Sequence, residues 1–129
     1  ETKPLDIMRA QERAEYIQKT GDVAGGREHI MPLLLQQCEY QNNPNHELGF
    51  GVIDGVDTPA KFVKVFTYDL SQIKILELFT DGYFAVPQES TMEAWETSHK
   101  IVEKEDPDKW KNYKSTKSKD DRTVAIITF

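Results

Sequence analysis

The chain has 129 residues, 38% hydrophobic and 29% charged, with a formal net charge of −6. That balance is long and apolar enough for one core, and it excludes a disordered, collagen-like or membrane-spanning composition. An acidic surface also argues against nucleic acid, because binding a phosphate backbone requires clustered positive charge.

Reading from Glu1, which is not a methionine, the sequence enters a helical pattern almost at once, as expected of part of a longer protein. Pro4 suits a first helical position. Ile7, Ala10, Ala14 and Ile17 then recur at three- and four-residue spacing until Gly21, which predicts a one-faced helix. Asp22 to Gly26 reads as a loop; Gly25-Gly26-Arg27 has too few glycines and no preceding strand for a phosphate cradle, so it reads as a turn. Pro32 should open a second helix through Leu33, Leu34, Leu35 and Cys38, stopped by Asn42-Asn43-Pro44, with its apolar block buried. Cys38 has no partner for an internal disulfide and no evident base beside it, so it is assigned to the core. One cysteine and no leader pattern point to a reducing cytoplasm.

From residue 47 the hydrophobic period becomes two. Phe50 and Val52, then Phe62 to Tyr68, then Ile73 to Phe79 predict three consecutive strands. Asp69 to Gln72 would join the second and third as an antiparallel hairpin, and apolar residues on both faces predict a sheet covered on each side. Asp54-Gly55 reads as a turn. Ser90 and Glu93 have capping-box spacing, and Met92, Trp95, His99 and Val102 fall on one face of a third helix running to about Glu105. Residues 106–119 hold seven charged side chains without apolar periodicity and read as a solvated loop, in which Trp110 is open to a partner. Thr123 to Phe129 predicts a last strand. His29, His46 and His99 lack ligand spacing and are given packing or surface roles.

Two short motifs carry the chemistry. Phe79-Thr80-Asp81-Gly82 ends one strand, and Lys119-Asp120-Asp121-Arg122-Thr123-Val124 opens another. Each sets a carboxylate at a strand terminus, where the sheet holds the backbone while the side chain projects beyond it. Carboxylate oxygens are what Mg²⁺ and Mn²⁺ prefer.

The order of these motifs, with Gly49-Phe50-Gly51-Val52-Ile53-Asp54-Gly55 upstream, resembles the C-terminal part of the protein phosphatase 2C family, in an uncharacterised bacterial branch. The resemblance implies an α+β fold, antiparallel β-sheets flanked by helices, with residues 1–129 forming about half of a single α-β-β-α sandwich domain. It implies a metal-dependent Ser/Thr phosphoprotein phosphatase with two Mg²⁺ or Mn²⁺ ions, Asp81 and Asp120 as ligands, and Gly82 and Asp121 in the shell behind them. Asp54 lies only 27 residues before Asp81 (81 − 54) and does not take the role of the family's N-terminal aspartate. The N-terminal half of the domain, a partner this chain would need, supplies further ligands and a phosphate-binding arginine, so the chain alone is expected to be inactive. Its other implied partner is a phosphorylated protein. Neither nucleic acid nor membrane is expected, and exposed strand edges would favour self-association. The competing reading is a non-catalytic phosphatase-like module with a binding or regulatory role.

Overall fold

In a computed structural model the chain is described from Pro4 to Phe129 and divides into two compact units, one through Phe66 and the other Thr67 to Phe129. Helices and strands are both present, making the protein α+β.

The first unit is built on a helix pair. Helix α1 spans Pro4–Thr20, and Gly21 follows it at φ +74°, a conformation that favours glycine. Its buried side is Leu5, Ala10, Arg13, Ala14 and Ile17; Ile7 is exposed, and Leu5 takes the place predicted for it. Helix α2, Val23–Leu35, begins well before Pro32. The Asp22 side chain accepts the Gly25 N–H at 2.8 Å and caps it, so the glycines read as a turn lie in its first turns. A Cβ at Gly26 would lie 2.7 Å from Ile17 Cγ1, and the missing side chain lets the two helices approach closely. That packing keeps Pro32 inside a helix, where it forfeits a backbone bond.

Beyond α2, a 3-10 turn at Gln36–Glu39 exposes Cys38, whose thiol donates to the Leu35 carbonyl; it is not a core residue. Leu35 is exposed too, and Leu33 and Leu34 are only half-buried, so the predicted apolar block is not a buried one. The first two predicted strands are absent among the described residues. Phe50 makes a single parallel bridge to Gln41, and the Asn42 side chain binds both backbone groups of Val52, at 3.0 and 3.2 Å. Asp54-Gly55 is the expected turn, with Gly55 at φ +91° and the Asp54 carboxylate accepting the Val56 N–H. Val63, Val65, Phe66 and Tyr68 lie exposed outside any ladder, and a 3-10 turn at Leu70–Gln72 replaces the hairpin.

The second unit holds a two-stranded antiparallel ribbon, β1 (Ile75–Phe79) with β2 (Val124–Thr128). One of its faces packs against helix α3, Met92–Glu105. Trp95 is fully buried there, its ring 4.7 Å from that of Phe79 and its indole N–H donating to Glu77 Oε1 at 2.7 Å. Leu76, Leu78 and Ile127 alternate onto the opposite face and are exposed, so the sheet is not covered on both sides. Thr91, not Ser90, caps α3, accepting the Ala94 N–H at 3.1 Å; the predicted cap is displaced by one residue.

The segment after α3 is not simply solvated. Asp106 is buried, and its carboxylate accepts the backbone N–H groups of Trp110, Lys111, Asn112 and Tyr113 at 2.8–3.1 Å. Burial pushes this carboxyl up, but the four donors outweigh it and hold its pKa below the ordinary value. Lys109, also buried, turns at φ +52° and sets its ammonium on Glu103 and on the Asp106 carbonyl. Trp110 is half-buried, with the Lys111 ammonium 5.0 Å from its ring centroid.

Candidate metal site at the ribbon end

The register sets Phe79 opposite Val124. Because the strands are antiparallel, the residues following β1 and those preceding β2 leave the ribbon at the same end. The pairing continues past the last ladder residues: Thr80 N–H donates to the Thr123 carbonyl at 3.0 Å, and Thr123 N–H donates to Thr80 Oγ1 at 2.9 Å. Gly82 is then pressed against the Asp121 carbonyl so closely that an added Cβ would overlap it. The Thr-Asp-Gly and Asp-Asp-Arg-Thr motifs are therefore fastened together through backbone, which neither motif alone foretells.

Within this arrangement the carboxylates differ. Asp81 is exposed at the turn. The Asp120 side chain is only 15% exposed; its Oδ2 meets Lys117 Nζ at 2.7 Å, and its Oδ1 accepts the Asp121 N–H at 2.9 Å. Asp121 contributes backbone to the junction while its residue as a whole is exposed.

A second set of charges stands at the same end. Arg122 Nη2 pairs with Glu96 Oε2 at 3.0 Å, and the Tyr83 hydroxyl donates to Glu96 Oε1 at 2.7 Å. Hydrogen bonds from Arg122 and Tyr83 hold the Glu96 carboxyl below its ordinary pKa, while burial, then Glu96, raises the Tyr83 phenol. Tyr83 also sets its ring edge-on to Trp95 at 4.9 Å, tying the network to the core of α3. Sequence reading gave no role to Tyr83, Glu96 or Lys117. The first two lie 13 positions apart on different elements, and their pairing has no local signature.

As a donor set for a divalent cation, the site offers oxygen ligands of the right kind but an incomplete group. Among the described residues no three or more His, Cys, Asp or Glu side chains gather to hold a metal. A cation at Asp120 Oδ2 must also displace the Lys117 ammonium. The histidines take packing roles, His29 stacking on Tyr16, with His46 edge-on to Tyr40 and His99 edge-on to Tyr83. Among the described residues, no helix is long and apolar enough to cross a membrane. Comparison with family models, with curated proteins and with solved structures returns no match.

Proposed function

We propose that the chain carries the carboxylate end of a metal-dependent phosphomonoester hydrolase of the phosphatase 2C type, acting on Ser/Thr phosphoproteins. The observation that carries this reading is the junction of the two motifs, which brings Asp81 and Asp120 to one end of one ribbon. Asp81 and Asp120 would hold Mg²⁺ or Mn²⁺, and the bare face of the ribbon would receive the rest of the sandwich from the N-terminal half. Divalent cations, when bound, supply a more acidic water and neutralise phosphoryl charge. The chain's own part is positional: the Thr80–Thr123 bonds fix the spacing of the two carboxylate segments, and Gly82 allows their backbones to close.

The Lys117–Asp120 bridge favours the second reading, a phosphatase-like module that binds without chemistry, its lysine standing where a cation would sit. Electron paramagnetic resonance of Mn²⁺ titrated into the chain separates the two. The metal reading expects weak but saturable binding that falls about tenfold or more in Asp81→Asn and again in Asp120→Asn. Binding that neither substitution changes, or no binding at all, overturns it and leaves the non-catalytic module.

A further inference from the structure

Among the described residues the sheet consists of β1 and β2, so each strand keeps one open edge. The ladder fixes which backbone groups those edges present. Phe129 N–H donates to the Lys74 carbonyl at one end of the ribbon and Thr80 N–H to the Thr123 carbonyl at the other, both at 3.0 Å. In an antiparallel pair, opposed residues alternate between bonding each other and turning their backbone groups away. Along the uninterrupted register, Ile75, Glu77 and Phe79 therefore turn their N–H and C=O groups away from β2, and Val124, Ile126 and Thr128 turn theirs away from β1.

The two edges are not equally guarded. Edge strands resist pairing with other chains by carrying a charge, a proline or a bulge. Lys74 stands at the entry of β1 and Glu77 at its centre, so two copies of β1 laid antiparallel would set Glu77 against Glu77. The run Val124-Ala125-Ile126-Ile127-Thr128-Phe129 has no charged residue, proline or glycine, and its register carries no bulge. In a chain of net charge −6, it is a place where two copies can meet without opposing like charges.

This edge is also complementary to itself. Two copies of β2 laid antiparallel about Ile126 bring Ile126 opposite Ile126 and Val124 opposite Thr128, each pair exchanging bonds through its outward groups. A twofold axis through Ile126, perpendicular to the sheet, keeps both α3 helices on one side and the exposed Leu76, Leu78 and Ile127 of both copies on the other. Such pairing closes on itself, whereas β1 of one copy against β2 of the next would leave an open edge at every step.

We propose that β2 pairs antiparallel with β2 of a second copy about Ile126, joining the two ribbons into one sheet. The pairing is made by backbone and does not depend on the phosphatase reading.

The test is amide hydrogen exchange by NMR on the full chain, with sedimentation equilibrium on the same samples, from about 10 µM to about 1 mM. A monomer–dimer equilibrium should appear. Exchange at Val124, Ile126 and Thr128 should slow at least about tenfold across that range, while Ile75, Glu77 and Phe79 stay fast. Ala125, Ile127 and Phe129, whose N–H groups serve the ladder, should be slow at every concentration. Thr128→Pro removes an outward donor and leaves the ladder its bonds; it should weaken the dimer about tenfold, with circular dichroism unchanged. Thr128→Ala keeps the donor and should leave the dimer within about twofold of the parent. A chain that stays monomeric, protection that appears instead at Ile75, Glu77 and Phe79, assemblies that grow beyond the dimer, or a dimer indifferent to Thr128→Pro overturns the proposal.

Discussion

Residues 63–68 and 75–79 are nearly interchangeable as sequence, both short, apolar and alternating, yet the second is a strand and the first is not. Ile75 to Phe79 has two supports: β2 supplies a ladder on one edge, and Trp95 supplies a packed surface beneath Phe79 and Glu77. Val63 to Tyr68 has neither, and its large side chains remain exposed. Strand propensity describes fitness for a pleated, half-buried surface; the surface itself must come from elsewhere in the chain.

The largest expected effect removes the support that the second segment enjoys. Trp95→Ala empties the space against Phe79 and Tyr83 and frees the Glu77 carboxylate of its indole partner, at a cost of about 3–5 kcal/mol. Urea unfolding followed by circular dichroism should show that loss, with β1 becoming as irregular as residues 63–68. A loss under about 1 kcal/mol would mean that the ladder to β2 suffices without the helix.

A smaller effect comes from the loop that returns the chain from α3 to β2. Asp106→Asn keeps the shape but not the charge, and should cost about 1–3 kcal/mol through donors left poorly satisfied. The sign of the pH effect follows from the lowered pKa. Its contribution is fully present above the unfolded carboxylate value, about 3.9, and fades as pH falls through the folded one. Near-UV circular dichroism of Trp95 and Trp110 under acid titration should therefore weaken below about pH 4 in the parent. In Asp106→Asn that part of the transition should vanish; an unchanged acid profile would assign it to other carboxylates.

Val65→Thr should change stability by no more than about 0.5 kcal/mol, because Val65 has no ladder and no burial to lose. A larger loss, read from the same urea curves, would show that residues 63–68 are paired in solution.

The same contrast explains what the sequence reveals. α1 and α3 are legible because a helix writes its buried face into its own spacing, although Leu5 instead of Ile7 completes that face in α1. β1 and β2 are legible as strands, but which strands pair depends on contacts between distant residues, and the predicted hairpin partner of β1 is not its partner. Pro32 misleads about α2 because the Asp22 cap and the Gly26–Ile17 contact outweigh a local preference. At the candidate site, Asp81 and Asp120 are visible from motif order alone. The network of Tyr83, Glu96 and Arg122 is assembled by the fold, as is the Lys117 bridge, which only the folded loop makes meaningful.

The buried Asp106 also separates two properties of its loop that ionic strength would otherwise change together. At about 0.15 M salt, exposed charges lose sight of one another beyond roughly 8 Å, so the pull of Lys111 and Lys114 on a passing anion weakens as salt rises. The four N–H groups closed around Asp106 lie out of reach of that atmosphere. Salt can thus weaken the field of the exposed lysines while leaving the turn that carries them intact, so the charge of the loop and its shape answer to different conditions.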